Sequence, residues 1–177
     1  DMRNQNLALI LKYLHQNGPI SRAELSSKLG MNKASISTII RDLINRGIVV
    51  ELGSQKKKND VGAPPINLMI NPDAGRAIAV EVESGLVKAI ISDLSLKFIW
   101  RSEKELKPGD LEGNLTVIKA LIFEACETAK KTNIPVIGLS LGIPGMVDIN
   151  NNIVLFSPEL GWENIDLNQV MENNKDI

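Results

Sequence analysis

The sequence contains only one cysteine and one histidine, Cys126 and His15, among its 177 residues. A disulfide needs two cysteines, and a structural zinc site needs four ligands that are mostly Cys and His. We therefore expect no disulfide, no zinc site made from these residues and no other cofactor. The sequence also lacks an apolar run near the ~20 residues of a membrane span, and an apolar signal-peptide core at its start. These absences predict a cytoplasmic protein with no membrane partner.

Charge is distributed unevenly along a chain of ordinary globular composition. Hydrophobic residues make up 44% of the sequence, and mean hydropathy is close to zero. Residues 1–65 carry ten Lys/Arg and five Asp/Glu, a net charge of +5, whereas residues 66–177 carry ten and sixteen, a net charge of −6. A basic front joined to an acidic remainder is typical of a nucleic-acid-binding module attached to a domain of another kind.

Residues 21–50 have the pattern of two short helices joined by a tight turn. Ser21 and Glu24 have the spacing of a capping box, Gly30 is suited to ending a helix, and Asn32 can cap the next one. The second helix would bury one apolar stripe, formed by Ile36, Ile39, Ile40, Leu43 and Ile44. This pattern predicts a helix-turn-helix, although an ordinary helical hairpin with a solvated face has the same periodicity.

The free face of the second helix carries hydroxyl and basic side chains, which are suited to base edges and phosphates. We take Ser35, Ser37 and Thr38 as candidates for base or phosphate contacts. The full set of candidate DNA-binding residues in the helical part is Arg22, Asn32, Lys33, Ser35, Ser37, Thr38 and Arg41.

Two predicted strands follow the helices and indicate a wing. Residues 48–52 begin with three β-branched side chains, and residues 66–70 are apolar apart from Asn67. The polar loop between them carries Lys56, Lys57 and Lys58, which could contact a phosphate backbone or a minor groove, or could form only a solvated hairpin tip. With a first helix over residues 3–16, residues 1–70 are predicted to form a winged helix-turn-helix domain.

Residues 71–177 are predicted to form an α/β domain with a mixed sheet. Strands are expected over residues 77–82, 86–94 and 96–106, and a long amphipathic helix over residues 111–131. Residues 135–141 are a continuous apolar run, typical of a strand buried on both faces. The glycine-rich and asparagine-rich stretch after this run is predicted to be loop, up to a short apolar segment at residues 153–156.

Both halves resemble the ROK family of repressors, open reading frames and kinases, and in particular its sugar-responsive repressors such as the xylose repressors. The resemblance rests on RNQN, GPISRAELSSKLGMNKASISTIIRDLINRGIV and GAPPINLMIN in the first half, and on IAVEVESGLVKAIISDL, GLSLGIPGMVD and SPELGW in the second. It implies an α+β or α/β chain in which a winged helix-turn-helix is followed by the first lobe of an actin-like, sugar-kinase-type ROK domain.

Two departures from the family pattern bear on function. ROK kinases carry an Asp-x-Gly-Gly-Thr turn that approaches ATP phosphates, and residues 81–85 here read Glu-Val-Glu-Ser-Gly. Two carboxylates would repel a triphosphate, which argues against ATP binding. Family wings often end in Gly-Arg-Arg/Lys-Pro, whereas residues 62–65 are Gly-Ala-Pro-Pro, so the three lysines would substitute as point charges.

The resemblance also implies residues that this sequence does not contain. The family's Glu-Asn-Asp-Ala-Asn motif, its Cys/His zinc motif and its second lobe would follow residue 177, so we expect the chain to be a fragment and any zinc site to lie outside it. The candidate sugar-binding residues form one wall of the expected cleft, unless these loops are plain turns. They are Gly142, Pro144, Gly145, Ser157, Gly161 and Trp162.

The resemblance favours a non-enzymatic, sugar-responsive transcriptional repressor. A homodimer would bind a palindromic double-stranded operator through two half-sites ~34–36 Å apart, and a sugar, for which xylose is our candidate, would release it. One alternative is a sugar kinase with a DNA-binding head, which needs a phosphate loop and a base. Another is a DNA-binding or scaffolding protein that has lost its ligand.

Overall fold

The computed structural model of the chain describes residues 2–53 and 65–171, without the side chain of residue 171. The chain divides into two compact units, Asp1–Ala74 and Gly75–Ile177. Each unit has its own hydrophobic core.

The first unit is a three-helix bundle with a small antiparallel sheet. The sheet order is β1-β3-β2, so the short β1 lies on the other side of β3 from β2. The elements are α1 (Met2–Asn17), β1 (Ile20–Ser21), α2 (Arg22–Leu29), α3 (Lys33–Asn45), β2 (Val49–Leu52) and β3 (Asn67–Ile70).

Capping side chains set the ends of α2 and the start of α3. The Glu24 amide donates to Ser21 Oγ at 3.3 Å, and the Ser21 amide donates to Glu24 Oε2 at 3.0 Å, which completes the predicted capping box. Gly30 ends α2 with a left-handed φ of 63°, a conformation that costs glycine little. The turn geometry required by a helix-turn-helix is thus encoded locally.

The apolar stripe of α3 is the centre of the first unit's core. Burial follows the helical period, and the exposed face of the helix is polar, because only one stripe meets α1, α2 and the sheet. The fully buried side chains of this core are Ile10, Leu25, Ile36, Ile40, Leu43 and Leu68. Removing a buried leucine side chain costs about 2–5 kcal/mol, so this packing fixes the orientation of the free face.

The second unit contains the predicted mixed sheet, of order β6-β5-β4-β7. Strands β4 to β6 form an antiparallel meander, and β7 returns parallel to β4 after a helix that packs on one face of the sheet. Cys126 lies on the buried side of this helix, where burial raises the pKa of its thiol. The elements are β4 (Arg76–Glu83), β5 (Leu86–Asp93), β6 (Phe98–Glu105), α4 (Leu111–Lys130) and β7 (Val136–Gly142).

The prediction that residues 135–141 are buried on both faces is wrong. Strand β7 lies at the edge of the four-stranded sheet, and its alternation places Leu139 and Leu141 against the core and the small residues Gly138 and Ser140 on the opposite face. Ile137 sits at a register irregularity and is 57% exposed. The apolar run at residues 135–141 therefore forms a strand that packs only one face against the core.

A second antiparallel sheet, of order β10-β9-β8, was not predicted, and residues 153–156 were noted only as a short apolar segment. The glycine-rich stretch that was interpreted as loop contains β8 and ends in a tight turn, where Asn151 Nδ2 donates to Asp148 Oδ2 at 2.7 Å. That hydrogen bond and backbone donors hold the pKa of the Asp148 carboxyl below its usual range. The elements are β8 (Met146–Asp148), β9 (Ile153–Ser157), β10 (Trp162–Asp166) and α5 (Asn168–Met171).

Candidate nucleic-acid interface

The exposed ridge of α3 is the candidate reading surface of the first unit. Lys33, Ala34, Thr38, Arg41 and Asn45 are exposed along it, and all lie opposite the buried stripe. An α-helix is about 10–12 Å across and fits the major groove, which is about 12 Å wide. The ridge therefore offers one alanine methyl, one hydroxyl, one amide and two cations to whatever the helix enters.

Some of the predicted contact groups already have intramolecular partners. Asn32 is the N-cap of α3, and its Oδ1 accepts from the Ser35 amide at 2.7 Å. Thr38 Oγ1 donates to the Ala34 carbonyl at 3.0 Å. Asn32 therefore acts first on the helix itself, through its amide oxygen, while its Nδ2 and the acceptor lone pairs of Thr38 remain to be used in contacts.

On the wing side of the ridge, an open depression is lined by Arg22, Ser37, Arg41, Ile44 and Glu51. Arg22 Nη2 donates to Glu51 Oε1 at 2.6 Å, which ties the first turn of α2 to β2. Arg22 and Arg41 thus line one depression beside α3, where Glu51 of β2 pairs with Arg22, and their contact with DNA stays a prediction.

On the opposite side of the ridge, a second open groove separates α3 from the start of α1. It is lined by Met2, Arg3, Asn6, Ala34, Ser35, Thr38 and Ile39. Ser35, one of the predicted contact residues, faces this groove and not the wing.

Three of the candidate residues lie outside the described part of the chain. Lys56, Lys57 and Lys58 fall between residues 53 and 65, so their predicted DNA contact stays a prediction. The two wing strands that flank them, β2 and β3, pair in the register Val49↔Ile70 to Leu52↔Asn67.

The candidate sugar-binding residues lie in the second unit, around the β8-β9-β10 sheet. Gly145 has a φ of 132°, and a Cβ built on it would lie 2.3 Å from the Phe156 carbonyl oxygen. Ser157 and Trp162 are register partners across β9 and β10. Glycine is therefore required at position 145, and three of the predicted residues come together there.

Burial separates the roles of these side chains. Ser157 is 0% exposed, and among the described residues its Oγ has no hydrogen-bond partner. Trp162 is 3% exposed and packs in the core, with only part of its surface at a cavity of about 140 Å³. Gly161 lines the same cavity, whereas Gly142 ends β7 and Pro144 is half-buried in the loop after it.

The β4–β5 turn, where ROK kinases carry their phosphate loop, reaches this same cavity through Ser84 and Gly85. Glu83 at the end of β4 accepts from Lys88 Nζ at 2.6 Å, and this hydrogen bond raises the pKa of the lysine. Neither residue pattern nor geometry in this turn makes a cradle for phosphates.

Across residues 2–53 and 65–171, no group of three or more His, Cys, Asp or Glu side chains is placed to hold a metal ion. No helix in the same ranges is long and apolar enough to span a bilayer.

Three features of the surface were missed by sequence reasoning. Glu51 was considered only as part of a strand, and its pairing with Arg22 depends on the strand register. Arg3 and Asn6 were noted only within the RNQN motif, and their place beside α3 depends on how α1 packs. Asn45 was not proposed as a contact, although the structure places it on the ridge.

Comparison with known proteins gives the surface a context. Residues 3–50 match the family model described as winged helix-turn-helix DNA-binding. The chain is 30% identical over 172 residues to the xylose repressor of Caldicellulosiruptor bescii, covering 97% of this chain and 43% of that protein. It is 26% identical over 153 residues to the DNA-binding transcriptional repressor Mlc of Escherichia coli, covering 86% of this chain and 37% of that protein.

The fold comparison agrees with the sequence comparison. A crystal structure of a ROK family transcriptional regulator, a homologue of the Escherichia coli Mlc protein, superposes with a TM-score of 0.73 at 23% identity. The match covers 99% of this chain and 44% of that one, and the chain spans about half the length of the curated relatives it matches. The chain therefore has the fold of the first part of a ROK family transcriptional regulator, with an amino-terminal winged helix followed by part of the domain that comes after it in that structure.

Proposed function

We propose that the chain is part of a sugar-responsive transcriptional repressor. It would supply the DNA-binding domain and one wall of the effector site. The observation that carries this proposal is the polar ridge of α3, capped at Asn32 and set by a buried apolar stripe, with Arg22 and Arg41 beside it. Arginine and hydroxyl side chains on a helix of this width suit a major groove and its flanking phosphates. The relatives named as repressors support the same role.

Operator geometry follows from the dimer that we propose. Two copies of α3 would enter successive major grooves of a palindromic site, with half-site centres ~34–36 Å apart. The Lys56–Lys58 run would add contacts to the flanking backbone, each of which adds about 0.9 to the slope of log affinity against log salt.

For the effector we propose a sugar, and xylose first, because several matched relatives are named xylose repressors. Ser157 is the residue of the described wall that we assign to it. A buried hydroxyl without a partner costs about 1–3 kcal/mol, and a ligand hydroxyl within reach would recover part of that cost.

A sugar kinase with a DNA-binding head is the weaker candidate. The turn at residues 81–85 has two carboxylates and lacks the Gly-Gly-Thr that approaches phosphates in ROK kinases. A constitutive DNA-binding protein without a ligand is the other candidate, and it differs from our proposal only in its response to sugar.

The test is a fluorescence-anisotropy titration of the intact protein with duplex DNA from the upstream region of its own gene, with and without xylose. We expect tight, salt-dependent binding that xylose weakens. Binding that ignores xylose and every other sugar tested would favour the constitutive protein, and sugar phosphorylation with ATP would favour the kinase. If the protein bound an unrelated duplex as tightly as the upstream duplex, the proposal that it is a repressor would be refuted.

The role of Ser157 can be tested separately by Ser157→Ala. We expect the unliganded variant to be as stable as the wild type or more stable, because the unpartnered hydroxyl is gone. The stabilisation that xylose gives the wild type in a thermal melt should shrink in the variant. An undiminished sugar response would remove Ser157 from the proposed site.

A further inference from the structure

The groove between α1 and α3 lies on the side of the recognition helix away from Arg22 and Glu51. Its α1 wall carries Arg3 and Asn6, and its α3 wall carries Ser35 and Thr38. We propose that this groove holds the sugar-phosphate backbone of one DNA strand, with Arg3 and Asn6 as phosphate contacts. The inference rests on the proposed DNA-binding function and adds a contact surface that the helix-turn-helix pattern does not predict.

The position of the groove supports this occupant. A helix lying in a major groove has one sugar-phosphate strand on each side, because the groove is only about as wide as the helix. The wing-side depression, lined by Arg22 and Arg41, is placed for one strand. The α1-side groove is the corresponding surface for the other strand, and it is built from residues that precede the helix-turn-helix in sequence.

The chemistry of the lining suits a nucleic-acid backbone. Guanidinium and amide N–H groups are among those that proteins use for phosphate oxygens, and here they come from Arg3 and Asn6. Met2 and Ile39 provide apolar surface that can pack against deoxyribose. The lining thus suits the sugar-phosphate backbone of DNA. A peptide helix would need a longer apolar stripe.

Charge at the edge of the groove gives a further distinction. Asp42 Oδ2 lies 3.7 Å from Arg3 Nη2 and 3.9 Å from Arg46 Nη1, and all three side chains are more than a third exposed. Exposed pairs of this kind contribute little to stability. Exchanging the Arg3–Asp42 pair for a phosphate contact therefore costs little, while the Asp42 carboxylate opposes the approach of DNA.

A purely structural role for Arg3 predicts a different effect of Asp42→Asn on DNA binding. If Arg3 only fixed α1 to α3 through Asp42, then Arg3→Ala and Asp42→Asn would remove the same interaction and change DNA binding in the same direction. If Arg3 contacts phosphate, Arg3→Ala weakens binding and Asp42→Asn strengthens it. The signs of the two effects thus separate the two roles.

The experiment compares Arg3→Ala, Asn6→Ala and Asp42→Asn in the intact protein, using the fluorescent upstream duplex and an unrelated duplex of equal length. Lys12→Ala is the matched control, because Lys12 is an exposed cation on the same helix, half a helical repeat around from Arg3 and outside the groove. Thermal melts of all variants check that each is folded.

We expect Arg3→Ala to weaken binding to both duplexes by the same factor, about tenfold for the loss of a charge-assisted hydrogen bond. Its slope of log affinity against log salt should be shallower by about 0.9, as for one lost phosphate contact. Asn6→Ala should weaken binding by a smaller factor, and Asp42→Asn should tighten it. Lys12→Ala should leave the salt slope, and so the number of phosphate contacts, unchanged.

If the wild type binds the upstream duplex but Arg3→Ala has the same affinity and salt slope as Lys12→Ala, this inference is overturned. The proposed function would still stand. Loss of binding in both Arg3→Ala and Asp42→Asn would assign Arg3 a structural role and overturn the inference too. A wild-type protein that binds neither duplex, even at low salt, would overturn the proposed function together with the inference.

Discussion

Arg22 and Glu51 form a 2.6 Å ion pair between the first turn of α2 and the wing strand β2, 29 residues apart in sequence. The arginine side chain is 33% exposed and the glutamate side chain 40%. The pair lies in the depression beside Arg41 and Ser37, on the surface that we assign to DNA. Glu51 therefore holds a cation in place and also adds a negative charge where a phosphate would come.

Glu51→Gln is expected to tighten DNA binding. The amide can still accept a hydrogen bond from Arg22 but no longer repels phosphate, an effect on the order of 0.5 kcal/mol for partly exposed charges. Anisotropy titrations at low and moderate salt measure it, with Glu112→Gln on the exposed face of α4 as the charge-matched control. Weaker binding by Glu51→Gln would show that fixing Arg22 matters more than the repulsion.

The capping box predicts a local stability effect. Ser21→Ala removes the acceptor for the Glu24 amide, and we expect the free energy of unfolding to fall by about 1 kcal/mol. Ser27→Ala, at an exposed interior position of the same helix, should cost nothing, because alanine is the better helix former there. Urea unfolding of both variants measures the difference, and equal stabilities would contradict the role of the cap.

Glu24 predicts a pH dependence. Hydrogen bonds from the Ser21 backbone and side chain lower the pKa of the Glu24 carboxyl. A carboxyl with a depressed pKa in the folded state contributes stability above its unfolded pKa of about 4.3, and this stability is lost as pH falls through the lower folded pKa. The stability advantage of the wild type over Glu24→Gln should therefore shrink on acidification below that range. An advantage that grew in acid would contradict the assignment.

Gly145 predicts a steric effect in the second unit. Gly145→Ala places a methyl group 2.3 Å from the Phe156 carbonyl oxygen, at a φ of 132° that other residues rarely adopt. We expect a loss of about 1–3 kcal/mol or more. Gly138→Ala on β7 is the control, because nothing lies within 4 Å of its added Cβ and its φ is ordinary. Thermal unfolding that ranks the two variants equally would contradict this reading of the loop.

Local patterns in the sequence predicted most of the first unit. The Ser21–Glu24 spacing, the Asn32 cap and the period of the α3 stripe act within a few residues, so they specify the helices without knowledge of the rest of the chain. The same period predicted which face of α3 is free. Lys33, Thr38 and Arg41 of the ridge were therefore named as contacts from the sequence, whereas Ala34 and Asn45 were not.

Features that depend on packing or strand register could not be predicted in this way. Glu51 meets Arg22, and Arg3 meets Asp42, only once β2 and α1 are placed against the other helices. Strand β8 forms in a stretch rich in glycine and asparagine, which have low strand propensity. It is a strand because it pairs with β9 through backbone hydrogen bonds. The exposure of β7 depends on its place at a sheet edge, which an apolar run does not reveal.

The most direct test of the central claim is the salt dependence of upstream-DNA binding by Arg41→Ala, compared with Arg101→Ala, an exposed arginine on β6 of the second unit. If α3 is the recognition helix, Arg41→Ala should weaken binding about tenfold and reduce the salt slope by about 0.9, while Arg101→Ala leaves both unchanged. An Arg41→Ala protein that binds the duplex as tightly as the wild type, with the same salt slope, would contradict the account.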